Sequence, residues 1–117
     1  MSLRTDRIGD MLRAEINTLL LREVRDPRVK LATVSRVEVS GDLQHARIAV
    51  SVLGSEEERE ACVDALKKAR GFLRSKLAAK LKRLRSTPEL LFELDRAADH
   101  NLRISEILDD FDNDHSS

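Results

Sequence analysis

Apolar side chains at Ile8, Met11, Leu12, Ile16, Leu19, Leu20 and Val24 recur at steps of three and four, which predicts an amphipathic helix from Asp6 to about Val24. Asp26-Pro27 ends it, because proline restricts the residue before it and has no backbone donor. From Thr33 to Ser40 the step falls to two, with Thr33, Ser35, Val37 and Val39 on one side and Arg36 and Glu38 on the other. After the turn residues Ser40-Gly41-Asp42, the positions Ala46, Ile48, Val50 and Val52 alternate with Arg47, Ala49 and Ser51. The pattern is that of a β-hairpin with one apolar face, which needs further strands or helices to cover it. Helical spacing returns after Gly54-Ser55. Glu56-Glu57-Glu58 suit the positive end of a helix that continues through Ala61, Cys62, Ala65, Leu66 and Ala69.

The same period carries on past Gly71 through Leu73, Leu77, Leu81 and Leu84. Glycine inside a helix costs about 1 kcal/mol relative to alanine, so Gly71 predicts a kink or a close backbone approach. Ser86-Thr87-Pro88 breaks the run, and Leu90, Phe92 and Leu94 alternate as a third strand. A last helix is expected from Asp99 to about Asp110, with Ile104, Ile107 and Leu108 inward, then a flexible acidic tail over 111–117. The order helix, strand, strand, helix, kink, helix, strand, helix predicts an α+β fold with helices packed on one face of a small three-stranded sheet. The chain's 117 residues fit one domain, expected over residues 1–110.

Composition removes several classes. No stretch approaches the roughly 20 apolar residues that span a bilayer, and Met1–Arg13 lacks the apolar centre of a signal peptide. The single cysteine, Cys62, lies among Ala61, Ala65 and Leu66 on the inner face of a helix and reads as a small buried residue. These features lead to the expectation of a cytoplasmic protein. His45, His100 and His115 have no ligand at a recognised spacing, and there is no Gly-rich phosphate loop or nucleophile elbow. Glu93 and Asp95 share the expected outer face of a strand and read as solvated. Neither a catalytic site, nor a metal, nor a cofactor is expected.

Charge changes the picture more than composition does. A formal net charge of +0 hides an acid-free run from Lys67 to Arg85 that holds nine Lys and Arg, while residues 86–117 hold two basic and nine acidic side chains. Such segregation concerns partners rather than fold. On a helical projection Leu73, Leu77, Leu81 and Leu84 form a buried arc. Lys76, Lys80 and Arg83 flank it on one side and Arg74, Lys82 and Arg85 on the other, with Lys67, Lys68 and Arg70 extending the charge before Gly71. Nineteen helical residues measure about 28 Å, long enough to follow several phosphates. A solvated helix neutralised by the acidic C-terminal segment is the plainer alternative. A membrane-surface helix is disfavoured by the absence of Trp and Tyr. The same scarcity of aromatics favours recognition of RNA shape and phosphates over stacking on unpaired bases.

Motifs along most of residues 4–108 resemble the ribosome-binding factor A family of bacterial small-subunit assembly factors. They are Val24-Arg25-Asp26-Pro27-Arg28, Val37-Glu38-Val39-Ser40-Gly41-Asp42-Leu43, Ala46 with Val50-Ser51-Val52-Leu53-Gly54, Ala69-Arg70-Gly71-Phe72-Leu73-Arg74, Leu84-Arg85-Ser86-Thr87-Pro88-Glu89-Leu90, and Phe92 with Asp95. The resemblance implies a type II KH-like domain in which Ala69-Arg70-Gly71 forms a helix-kink-helix junction in place of the usual GXXG loop, absent here. It implies a non-catalytic factor that binds the free small (30S) ribosomal subunit late in assembly, near the neck and decoding region. There it would promote maturation and 5′-end processing of the 16S ribosomal RNA, most importantly in the cold. The expected RNA-binding residues are Lys67, Lys68, Arg70, Gly71, Arg74, Lys76, Lys80, Lys82, Arg83 and Arg85, with Ala69 and Gly71 as the structural kink. Partners would be the small subunit, its 16S RNA and other assembly factors, with no membrane, and the protein would be a monomer. Two alternatives stand beside this reading: a general KH-like RNA-binding regulator of messenger RNA, and a protein adaptor using the basic helix face.

Overall fold

The computed structural model describes residues 3–81 and 87–97. Helix α1 (Leu3–Arg22) leads through a 3-10 turn (Pro27–Val29) to strands β1 (Ala32–Val39) and β2 (His45–Val52), helix α2 (Glu56–Lys80) and strand β3 (Glu89–Leu94). The sheet has the order β1-β2-β3, with β1 antiparallel and β3 parallel to β2. Parallel neighbours need a long crossover, and α2 supplies it, so β2, α2 and β3 form one βαβ unit. Both helices cover the same sheet face. Ile8, Leu12, Ile16 and Leu19 of α1 and Leu66, Leu73 and Leu77 of α2 join Val34, Ile48, Val50, Leu90 and Phe92 in one core. Met11, expected on the inner stripe of α1, lies at its margin and is exposed. The expected last helix and the tail lie outside the described residues, as do Leu84 and the 110/111 boundary.

Two devices seat α1 on β1. A Cβ on Gly9 would come within 2.6 Å of the Val37 carbonyl oxygen, so glycine is what lets helix and strand backbones approach here. Eight residues on, Asn17 donates to the Val34 carbonyl at 3.2 Å and accepts from the Val34 N–H at 2.8 Å. β1 is an edge strand, and this amide satisfies backbone groups that β2 cannot reach.

Strict alternation along β1 fails at Ser35. The register pairs Val34 with Val50 but Arg36 with Ala49, so a β-bulge inserts one residue and reverses the phase. Val34 faces the core before the bulge, Val37 and Val39 after it, and Thr33 and Ser35 are exposed rather than aligned with the valines. The bulge is tied down. Ser35 Oγ lies 2.5 Å from Asp95 Oδ2 and 3.1 Å from the Ala49 carbonyl, and its proton serves this pair of acceptors. Asp95 is therefore engaged, and Glu93 pairs with Arg47 at 3.0 Å, so neither carboxylate is merely solvated. Ala49, on the outer face by alternation, is 3% exposed.

The second correction concerns α2. It begins with a capping box, in which Ser55 Oγ accepts from the Glu58 N–H at 3.2 Å and Glu58 Oε1 accepts from the Ser55 N–H at 3.1 Å. It then runs as one hydrogen-bonded helix to Lys80, so the two helices expected on either side of Ala69-Arg70-Gly71 are a single element. The buried positions explain why. Leu66, Leu73 and Leu77 lie on one side at steps of seven and four, and their packing holds the helix together across a residue whose intrinsic penalty is only about 1 kcal/mol. Cys62 is a free, fully buried thiol in the same core, and burial pushes its pKa up, in keeping with a packing role.

Candidate nucleic-acid interface

With Leu66, Leu73 and Leu77 inward, helical geometry directs the rest of α2 to solvent in three strips. One flank, next to α1, carries Lys68, Phe72 and Lys76 at steps of four. The other, next to β3, carries Lys67, Arg70 and Arg74. Between them lie the small exposed residues Gly71, Ser75 and Ala78. Apart from Arg59, the charged residues of the first half of the helix, from Glu56 to Asp64, are acidic, and those of the second half are basic. The helix dipole favours that order only within the first and last turns. It accounts for Glu56-Glu57-Glu58 and Lys80, but not for cations from Lys67 to Lys76.

The expected residues fall into distinct settings. Lys67, Lys68, Arg70 and Gly71 are exposed, and none of the three cations has an ion-pair partner among the described residues. Lys68 stands near the link between α1 and β1. There Asp26 accepts from the Arg28 backbone and guanidinium, which hold its carboxyl down to about 2, with Lys68 adding a weaker attraction. Lys76 approaches Glu23 at 3.9 Å and Lys80 approaches Glu15 at 3.5 Å, both half-exposed pairs of the weak surface kind that a phosphate can displace. Arg74 is exposed, yet its Nε and Nη2 donate to the Thr87 carbonyl at 3.2 and 2.9 Å. That strut ties α2 to the segment entering β3. Lys82, Arg83 and Arg85 lie outside the described residues. Ala69 is half-buried against the core.

Sequence reasoning gave Phe72 no role of its own, yet it is 45% exposed in the structure, with the Lys76 ammonium 5.6 Å from its ring centroid. The signal was present in the register, since Phe72 follows Lys68 by four residues whereas Leu73 follows Leu66 by seven. The partners Glu15, on α1, and Glu23, just past its C-terminal end, were also missed, because they meet α2 only through antiparallel packing.

The open face of the sheet is different in kind. Arg36 meets Glu38 at 3.2 Å, Arg47 bridges Glu38 at 3.8 Å and Glu93 at 3.0 Å, and His45 stands 3.7 Å from Glu89. Its charged side chains pair with one another, whereas Lys67, Lys68 and Arg70 of α2 have no ion-pair partner among the described residues. Among the described residues no group of three His, Cys, Asp or Glu could hold a metal ion, and no helix is long and apolar enough to cross a membrane.

The fold and this face together define a small α+β domain with a mixed three-stranded sheet and one helix that presents a cationic outer surface. The profile of ribosome-binding factor A matches residues 4–108, and the chain belongs to that family. The crystal structure of ribosome-binding factor A from Thermus thermophilus is similar, with 28% identity and a TM-score of 0.70 over 80% of this chain and 98% of that one. A Thermotoga maritima protein solved by NMR, described as a ribosome binding factor A candidate, has 40% identity and a TM-score of 0.64 over 82% and 94%. A homology model of the Thermus thermophilus ribosome binding factor A, fitted into the cryo-EM map of its complex with 30S, has 32% identity and a TM-score of 0.56 over 74% of this chain and 93% of that one.

Proposed function

We propose that the protein is a non-catalytic assembly factor that binds the free 30S ribosomal subunit and promotes late maturation and 5′-end processing of its 16S RNA. The observation that carries this reading is the unpaired group Lys67, Lys68 and Arg70 in the middle of α2, beyond the reach of the helix-dipole explanation, in a member of the ribosome-binding factor A family. Its similarity to a relative fitted into a 30S complex supports the same partner. Lys76 and Lys80 exchange the carboxylates of Glu23 and Glu15 for phosphates, Arg74 positions the β3 side of the surface, and Lys82, Arg83 and Arg85 continue the run. The order of the described elements, with a basic helix after a β-hairpin, supports a KH-like domain that lacks the GXXG clamp.

No bond is made or broken in this mechanism. A rigid domain that binds one RNA arrangement better than its competitors shifts the population toward it by the difference in binding free energy. RNA trapped in wrong pairings escapes more slowly in the cold, where the factor matters most. It acts in the cytoplasm as a monomer, alongside other assembly factors.

The triple variant Lys67→Ala, Lys68→Ala, Arg70→Ala tests the reading. These are exposed side chains, so the melting transition should move by less than about 0.5 kcal/mol per site. On sucrose gradients the wild-type chain is expected with free 30S subunits and the variant at the top. A variant that still sediments with 30S, or a wild-type chain found only on translating ribosomes, would overturn the proposal.

A further inference from the structure

Phe72 is the aromatic residue that the described core leaves outside. Phe92 is 5% exposed and packs under the sheet, whereas Phe72 is 45% exposed although its neighbour Leu73 is fully buried. A single exposed apolar side chain needs no explanation by itself. This one sits between Lys68 and Lys76 at one-turn spacing, and the Lys76 ammonium is 5.6 Å from the ring centroid, within the roughly 6 Å range of a cation–π contact. On its other side the helix surface is low. Gly71 and Ser75 are exposed, and a Cβ on Gly71 would meet nothing within 4 Å. The other strongly exposed apolar residues, Leu21, Leu31 and Leu53, are aliphatic and lie off this helix.

We infer that Phe72 is a stacking platform for one unpaired nucleobase of the bound RNA, with Lys68 and Lys76 holding the phosphates on either side of it. The inference rests on the RNA-binding reading of α2 and adds a contact that phosphate recognition does not require. A nucleic acid fits this surface better than a protein does. An aromatic anchor in a protein interface is desolvated at its centre, and here that would leave the neighbouring Lys68 ammonium, unpaired among the described residues, without water or partner. A nucleotide brings a π face for the ring and an anion for each lysine in the same unit. Low space beside the ring admits a flat base without displacing any side chain on Gly71.

The test compares the full chain with its Phe72→Leu and Phe72→Tyr variants. Leucine keeps apolar bulk and removes the π face, and tyrosine keeps both. The probes are a single-stranded RNA octamer carrying 2-aminopurine and a blunt RNA duplex of the same length. Stacking predicts that Phe72→Leu weakens octamer binding by roughly 5- to 150-fold, the effect typical of losing one base–aromatic stack. Duplex binding should change by less than about twofold, Phe72→Tyr should bind both probes like wild type, and the slope of octamer affinity against salt should stay the same because no charge is removed. Quenching of 2-aminopurine emission should accompany octamer binding to wild type and Phe72→Tyr and disappear with Phe72→Leu. Wild-type affinity in Phe72→Leu, or equal losses on octamer and duplex, would overturn the inference. The Lys67, Lys68, Arg70 triple variant separates the two levels. If it loses both probes while Phe72→Leu loses neither, RNA binding stands and stacking falls. If it retains both probes, the RNA reading falls and the stacking inference with it.

Discussion

Two glycines in helices, Gly9 and Gly71, have opposite reasons to be there. Gly9 is hemmed in by the Val37 carbonyl at 2.6 Å from a built Cβ, and nothing lies within 4 Å of the same atom on Gly71. Gly9→Ala gains helix propensity but must push α1 off β1, and it is expected to destabilise by about 1–3 kcal/mol in urea melts, as overpacking does. Gly71→Ala should stabilise by up to about 1 kcal/mol, since a helical backbone gains and no contact suffers. Higher stability together with weaker 30S binding would show that Gly71 serves the partner and not the fold. Either sign reversed in the melts would contradict the close approach at Gly9 or the open space at Gly71. From sequence the two residues look alike, because a glycine's neighbours in space are set by the strand or partner that packs on it.

At the scale of elements, the joints are built from short polar side chains acting on backbone. Asp26 caps the 3-10 turn between α1 and β1, Ser55 and Glu58 cap α2, and Ser35 ties the β1 bulge to Asp95. Each carboxylate is held below its ordinary range. For Asp26 the cause is chiefly the Arg28 side chain, for Glu58 the Ser55 backbone, and for Asp95 the Ser35 hydroxyl. A depressed folded-state pKa means that the stabilisation is complete above the unfolded value, 3.8 for an Asp, and is lost as pH falls through the folded value, about 2 for Asp26. The melting temperature should therefore drop between about pH 4 and pH 2, and Asp26→Asn should flatten that drop while lowering the plateau above it. An equally steep acid limb in Asp26→Asn would remove Asp26 from the account. The elements themselves were legible: α1, both hairpin strands, the start of α2 and β3 follow the apolar period and the turn and cap residues. The bulge was not, because Val34, Ser35 and Arg36 carry no local mark of an inserted residue. Only pairing against β2 shows where the register slips.

For the whole molecule, the decisive property is that opposite faces differ in how charge is arranged. The sheet's open face pairs its own ions, and α2 leaves Lys67, Lys68 and Arg70 unpaired among the described residues. Binding to 16S RNA should then weaken with salt by about 0.7–0.9 log units per log unit for each phosphate neutralised, and the triple cation variant should have a shallower slope by two to three such contacts, roughly 1.4–2.7. A slope unchanged by the variant would place the phosphates on another surface. The acid-free run was plain in the chain, because charge and hydrophobic period are properties of order along the backbone, and so were the α+β class and the small buried Cys62. Tertiary packing alone decided that β3 lies parallel to β2, that Glu15 and Glu23 shade Lys80 and Lys76, that Arg74 is drawn into a strut, and that Phe72 stays outside. These depend on which helix lies beside which and at what rotation. That choice is made by the fit of the whole core, a many-body property that no single stretch of residues contains.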